Sequence, residues 1–367
     1  MKRFSILVAF GLLFCLAFTA VAQSTAGTQA DPAVSRSYLE QVYQPQLEQS
    51  IQALFDQQAD TRDEDAFLTL TQAIARENRN LQTSGVTQAL SGQTRWKAGD
   101  LLTLAAGTKL ALLSGSGELV SGTLVNVTRG EAVPAFQALP DRDTCMAGTD
   151  CQMRITSLTA CFAAQGIAEL TASDNVDYNA CADALAALGL FRGTDYGYEL
   201  ERTANRTEAL VMFLRLLGEE QNALKWTGPH PFTDVPAWAD RYVAYAYARG
   251  YTNGVSATAF GATQDVTARD YLTFLLRALQ YSEGSEFAWA TAVSDSQTLG
   301  VITAGERVLL DQGVFLRAHV AYFSWYVLFA RHQTESRLLL WVLEDKGAFT
   351  AQALNRAVLC LKGDRLS

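Results

Sequence analysis

One unit recurs along the C-terminal half of this chain, and it constrains the fold more than any other feature. In its clearest copy Tyr242, Val243, Tyr245 and Ala246 form an apolar helix face, Gly250 stops that helix, Phe260 follows a turn, and Asp270 to Tyr281 reads as a second helix with Leu272, Leu275, Leu276 and Leu279 inward. An earlier copy has a helix from Asn179 to Leu188, a loop from Gly189 to Gly193, and Asn205-Arg206-Thr207-Glu208 leading into Ala209 to Gly218. A later, looser copy runs from Thr298 to Gly305, then opens a helix at Leu316-Arg317-Ala318-His319 that continues through Val327 and Phe329. Helix, glycine-bounded loop, helix is therefore the expected building block.

The middle copy opens Phe-Thr-Asp-Val-Pro-Ala-Trp-Ala at Phe232 to Ala239, passes through Gly-Tyr-Thr-Asn-Gly at Gly250 to Gly254, and closes on Leu-Leu-Arg-Ala-Leu at Leu275 to Leu279. That order resembles an S-layer homology (SLH) repeat, a module by which exported bacterial proteins hold cell-wall polysaccharide. The resemblance implies a pseudo-threefold helical domain of three repeats, with boundaries expected at 158–225, 226–283 and a degenerate 284–361. It also implies a Thr-Arg-Ala-Glu motif at the start of each second helix. This chain offers Asn205-Arg206-Thr207-Glu208, then Thr267-Ala268-Arg269-Asp270, then Leu316-Arg317-Ala318-His319. The motif arginine is matched by Arg206 and Arg317 and replaced by Ala268. In the family this arginine and the glycine-bounded loop line a groove for pyruvylated secondary cell-wall polymer. The polysaccharide-binding candidates carried over are thus Arg206, Glu208, Gly193, Gly254, Arg269, Asp270, Gly305, Arg317 and Trp238, with the groove at Ala268 expected to have lost its anion contact.

The residue types suit that chemistry. A pyruvyl ketal places a fixed carboxylate on a neutral sugar, and a guanidinium at a helix N-terminus meets it bidentately. Glycines let main chain approach a saccharide closely. Asn205 and Thr267 are also good N-caps for any helix, so they carry less information than the arginines. Trp238, Phe260, Trp289 and Tyr281 are candidate sugar-facing aromatics, although large aromatics in repeats more often belong to the core.

The N-terminal half differs in texture. Lys2 and Arg3, an apolar run from Phe4 to Ala20, and Ala20-Val21-Ala22 form the pattern of a secretory signal peptide over residues 1–22. A small polar linker (23–34) follows, then a helical segment (35–84) in which Leu39, Val42, Tyr43, Leu47, Ile51, Leu54 and Phe55 recur at helical spacing, with a break at Pro45 and a returning set of Phe67, Leu68, Leu70, Ile74 and Ala75. Residues 92–157 read as a small β-domain, because short apolar segments alternate with Gly99, Gly107, Gly115, Gly117, Gly122 and Gly130. The fold class expected is therefore α+β.

Five cysteines follow the signal region, and in an exported chain Cys145–Cys151 and Cys161–Cys181 are disulfide candidates. No metal site is expected, since no C-x-x-C or neighbouring histidine supports one. The net charge of −9, or −11 without Lys2 and Arg3, argues against nucleic acid as a partner. His230, His319 and His332 are too few and too scattered for a triad, and Asp141/Asp143 and Glu219/Glu220 read as solvated charges rather than a glycosidase pair. No P-loop, G-x-S-x-G or H-E-x-x-H occurs. The expectation is a secreted, noncatalytic, cofactor-free protein held at the cell wall or cell surface by secondary cell-wall polymer, with a protein partner for the N-terminal half. The alternative is an extracellular protein-interaction scaffold whose repeats no longer bind polymer.

Overall fold

A computed structural model describes residues 64–83, 86–311 and 313–367. The signal, the linker and the helical expectation for 35–63 lie outside the described residues. The chain divides into two compact units, one mostly of strands up to Asn175 and one mostly of helices from Val176.

The first unit holds α1 (Glu64–Thr83), which turns Phe67, Thr71 and Ala75 inward at helical spacing. Nine strands follow: β1 (Val86–Lys97), β2 (Leu101–Leu104), β3 (Lys109–Ser114), β4 (Gly117–Ser121), β5 (Leu124–Asn126), β6 (Glu131–Val133), β7 (Thr144–Ala147), β8 (Cys151–Ile155) and β9 (Thr159–Thr171). They form one sheet in the order β4-β8-β2-β9-β3-β7-β5-β6, with β1 on β9. Past β6, Phe136 and Leu139 donate N–H groups to Leu119 and Gly117 of β4 at 2.7 and 2.8 Å, so the sheet nearly closes on itself and its open edge is covered. Alternation does the sorting: Leu102, Leu104, Leu110, Leu112, Met153, Ile155 and Phe162 point inward and are almost wholly buried, each contributing about 1.5–3 kcal/mol. Gly122 shows why the glycines matter. It has φ +84°, and a Cβ there would lie 2.4 Å from the Asp150 carbonyl.

Two expectations change here. The β-region is not 92–157, because β1 begins at Val86 and β9, placed in the first repeat by the sequence reading, is a central strand between β2 and β3. Ala, Cys and Gly blur its alternation. Gly166, at φ +141° against Thr108, interrupts it further. The helical unit therefore starts near Val176 rather than 158. Neither candidate disulfide is formed. Cys145 on β7 and Cys151 on β8 stand on strands separated by β3, β9 and β2, and burial, aided by Asp143 and Asp150 respectively, pushes both thiols up to about 11. Cys161 is buried on β9 and Cys181 is buried in the helical unit.

The second unit contains α2 (Tyr178–Ala187), α3 (Arg206–Leu216), α4 (Glu220–Lys225), α5 (Asp240–Ala248), α6 (Ala268–Ala278), a 3-10 turn (Trp289–Thr291), α7 (Ala292–Thr298), α8 (Ala304–Asp311), α9 (Arg317–Val327), α10 (Leu339–Asp345) and α11 (Ala351–Leu359). The helices that begin at the three motif positions, α3, α6 and α9, each pack against the other two. The shorter helices pack on them in turn: α5 on α3, α7 on α6, and α2 on α9. Tyr271 and Ser324 join α6 to α9 through a buried 2.6 Å hydrogen bond. The apolar run from Val320 is the buried α9, and no helix among the described residues is long and apolar enough to cross a membrane.

Candidate functional site

The site is built by the loops that enter the three motif helices. In the middle copy the Asp234 carboxylate accepts N–H groups from Phe260, Gly261 and Ala262 at 2.7, 2.7 and 3.1 Å. Burial alone would raise its pKa, but these three donors outweigh it and hold the carboxyl below its ordinary range. Gly254, at φ +73°, leaves room for the Phe232 ring, whose edge would lie 2.3 Å from an added Cβ. Phe232 in turn packs near Phe260. The Phe-Thr-Asp and Thr-Asn-Gly segments are thus two halves of one clasp that fixes residues 260–262.

That clasp aims carbonyls at the preceding copy. Arg206 donates its backbone N–H to the Gln264 carbonyl at 2.8 Å and its Nε to the Phe260 carbonyl at 3.1 Å, while Thr207 donates to the Ala262 carbonyl at 2.8 Å. The Arg206 guanidinium lies over the rings of Phe260 and Phe274 and pairs with Asp270 at 2.6 Å. It is only 5% exposed. Asp270 closes the α6 capping box with Thr267 and accepts the Trp289 indole N–H at 3.1 Å. Desolvation works to raise its pKa, but the Thr267 hydroxyl, Arg206, the Thr267 amide and Trp289 together hold it low.

The same geometry recurs at a second junction. Arg317 donates its N–H to Arg202 and its Nε to the Tyr198 carbonyl at 3.2 Å, lies over Phe191, and points Nη1 at the Met212 sulfur. Tyr198 and Met212 stand seven residues before and after Asn205, as Phe260 and Phe274 stand around Thr267. Glu208, the counterpart of Asp270, is gripped by both terminal nitrogens of Arg202 at 3.0 and 2.9 Å. Although its charge favours the Arg317 cation, burial and the Arg202 charge outweigh it and pull the Arg317 pKa below its ordinary value. Each motif arginine is therefore buried in the neighbouring copy.

At the third junction the arginine is Ala268, and the position of the matching acid is His319. His319 Nδ1 accepts the Leu316 N–H at 3.0 Å, and burial pulls its pKa down to about 4, so it is a neutral cap at physiological pH. Cation and anion are lost together. The volume is not refilled: a cavity of about 550 Å³ opens there, floored by Ala268 and Phe315 and lined by Thr267, Arg269, Thr291, Ser294, Arg307 and Asp311 among others. Arg269 lies over the Trp289 ring at 5.0 Å, and Arg307 is oriented by a 3.0 Å bond to Gln297. Both guanidiniums are exposed, and neither forms an ion pair within 4.0 Å among the described residues. Two oriented cations, the hydroxyls of Thr267, Thr291 and Ser294 and an aromatic floor share this lining with the carboxylates of Asp265 and Asp311, a mixture that suits a hydroxyl-rich ligand whose acidic group meets the arginines.

A model of the S-layer homology domain family matches residues 231–267, the clasp and the approach to α6 described above. The chain carries an S-layer homology domain. The "Middle cell wall protein" of Brevibacillus brevis (strain 47 / JCM 6285 / NBRC 100599) is 28% identical over 145 residues, a match covering 38% of this chain and 14% of that protein.

Within this SLH-containing chain the candidate residues fall into four sets. Arg269 alone faces the open groove, with Asp270 behind it through Trp289. Arg206 and Asp270 form a buried pair, whereas Arg317 is buried against the Tyr198 carbonyl and the Met212 sulfur, with the half-buried Glu208 held by Arg202 instead. The glycines are covered by their own chain: Gly193 by Gly197, Gly254 by Phe232, and Gly305 by Ser367. Phe260 is core, whereas Trp238 is 59% exposed and stands apart from the groove lining. Arg307, Thr291 and Ser294 escaped the sequence reading, which traced the third copy only through Thr298 to Gly305 and then from Leu316. Thr303 and Glu306 were the missed signal, since Thr-x-x-Glu is a capping box and places Arg307, Leu310 and Asp311 on one face of the helix that follows. The carboxylate pairs are spoken for as well: Asp143 pairs with Arg129, Glu219 with Arg249, and Glu220 with Arg215.

Proposed function

We propose that this is a secreted, noncatalytic, cell-wall-associated protein whose SLH region binds anionic secondary cell-wall polysaccharide in the groove at Ala268. The three copies form a pseudo-threefold ring around α3, α6 and α9. Two of its junctions are closed by their own arginines and the third is open to ligand. The observation that carries this reading is the open arginine slot, where Arg269 and Arg307 form no ion pair among the described residues and border about 550 Å³ of space. The match to the SLH family and the similarity to a protein named for the cell wall support the location.

Each charge-assisted contact contributes about 1.5–3 kcal/mol. Two arginines therefore support binding of millimolar strength or somewhat tighter, and retention on a wall gains from the many repeats of a polymer. A carboxylate held between Arg269 and Arg307, with the sugar face against Phe315 and hydroxyls near Thr291 and Ser294, uses the groups present.

The test is co-sedimentation of the protein with purified sacculi before and after removal of the non-peptidoglycan polymer. Arg269→Ala and Arg307→Ala should each weaken binding by about 10- to 150-fold, and Ala268→Arg should block it by refilling the slot. Binding that survives polymer removal and all three substitutions would overturn the assignment. A second reading, a protein-interaction scaffold, is favoured by the burial of Arg206 and Arg317, which leaves two of the three junctions without a free cation. Absence of any wall binding would select it.

A further inference from the structure

The third copy contains a built cleft occupied by a segment of the chain itself. Thr303 and Glu306 cap α8 reciprocally: Glu306 N–H donates to Thr303 Oγ1 at 3.1 Å, and Thr303 N–H donates to Glu306 Oε2 at 2.8 Å. The Glu306 side chain is fully buried. A buried carboxylate is strongly unfavourable unless it is paired and hydrogen-bonded. Its partner is Arg365, which donates Nε to Oε1 at 2.7 Å and Nη2 to Oε2 at 2.8 Å, a two-pronged grip. Nη2 also reaches the Val301 carbonyl at 2.8 Å, and the guanidinium lies over the Tyr326 ring at 5.0 Å.

The residue after the arginine is held through its main chain. Leu366 N–H donates to the Tyr322 hydroxyl at 3.0 Å, and the Leu366 carbonyl accepts from Thr303 Oγ1 at 2.7 Å. Ser367 then passes so close to Gly305 that an added Cβ would stand 2.2 Å from its carbonyl oxygen. Charge recognition, an aromatic platform, an acceptor and a donor for the two main-chain groups of one residue, and a glycine that admits backbone are the parts of a peptide-recognition site.

We propose that the cleft between α8 and α9 is a binding site for extended peptide segments carrying an arginine, filled here in cis by Arg365-Leu366-Ser367 and open to the same sequence supplied in trans. The assignment goes beyond the carbohydrate reading and does not rest on it. The two sites share α8, which turns Glu306 toward the peptide and Arg307, Leu310 and Asp311 toward the groove. An occupied cleft thus fixes one wall of the groove.

The experiment uses full-length Arg365→Ala protein, in which the internal segment loses its anchor, and a fluorescein-labelled Lys-Gly-Asp-Arg-Leu-Ser peptide followed by polarisation. The variant should bind the peptide saturably, and at least about tenfold more tightly than the filled wild type does. It should also melt on the order of 10 °C lower and regain part of that on peptide addition. Adding Glu306→Gln, or replacing the peptide arginine with alanine, should abolish binding. A folded Arg365→Ala variant that ignores the peptide, or binds it regardless of Glu306, would overturn the proposal. Should that variant not fold, Arg365→Lys keeps a cation in place with a single-point grip, and the arginine peptide should displace it. Failure of the arginine peptide to bind that protein overturns the proposal equally.

Discussion

Arg206→Ala separates a structural arginine from a ligand-binding one. The side chains of Arg206 and Asp270 are 6% and 11% exposed and their charges are 2.6 Å apart, so truncating the arginine strands a buried carboxylate. Breaking such a pair costs about 3–5 kcal/mol, a figure that already includes part of the lost bond to the Phe260 carbonyl. Asp270 retains Thr267 and Trp289, which places the expectation at about 3 kcal/mol. For a domain of 150–250 residues that is a fall of roughly 6–12 °C in melting temperature. The pH dependence has a definite sign. Asp270 is held below its ordinary pKa, so its stabilisation is full above the unfolded value near ~3.9 and is lost as pH falls through the lower folded value. The difference between wild type and variant should therefore be flat from about pH 5 to 8 and shrink in strong acid. Denaturant unfolding across that range, with Asp270→Asn and the double variant closing a cycle, measures the coupling directly. A variant of unchanged stability that no longer binds wall polymer would refute the reasoning and return Arg206 to the ligand.

Three further outcomes follow from neighbouring groups. His319 is buried with its pKa depressed to about 4, so stability is complete above the unfolded value near ~6.5 and falls as the pH drops toward 4. About 2 kcal/mol should be gone by pH 5, and His319→Gln should flatten that limb in unfolding titrations. Asp234→Ala removes the acceptor of three backbone N–H groups and should cost about 2–3 kcal/mol, read as a shift in denaturation midpoint, whereas Trp238→Ala, on an exposed side chain, should change it by less than about 0.5 kcal/mol. Cys145 and Cys151 are buried thiols raised to about 11, so alkylation at pH 8 followed by mass spectrometry should modify Cys360 first and reach these two only in denaturant. A mass two daltons light for a linked pair would contradict the free-thiol structure.

What could be read from residues alone depended on how local the signal was. Helix starts at Asn205 and Thr267 are set by side chains three residues apart, and the capping boxes appear where the motif pattern put them. The Phe-Thr-Asp and Thr-Asn-Gly segments were recognisable as a signature, but their purpose was not, because Asp234 acts on residues 26 to 28 positions later. β9 was assigned to the wrong unit because Ala, Cys and Gly at inward and outward positions carry little amphipathic contrast, and only pairing with β2 and β3 reveals the strand. The arginines were legible as special and misplaced in role: a guanidinium that suits a sugar carboxylate suits an aspartate and a backbone carbonyl equally well. Sequence alone does not say which of the two is nearer.

The paired loss at the third junction follows from the cost of a buried charge. Where Arg206 reaches Asp270, removing either partner alone strands the other. The step that would convert such a junction into an open groove is therefore double, with Ala268 in place of the arginine and a neutral, capping His319 in place of the acid. Rebuilding it should likewise require both. Ala268→Arg alone places a guanidinium against a depressed histidine and should destabilise while blocking the groove. Ala268→Arg with His319→Glu should recover stability and still block it. A double variant that remains as unstable as the single one, by thermal melting, would mean the three junctions are not equivalent and that the groove is not a vacated copy of the other two.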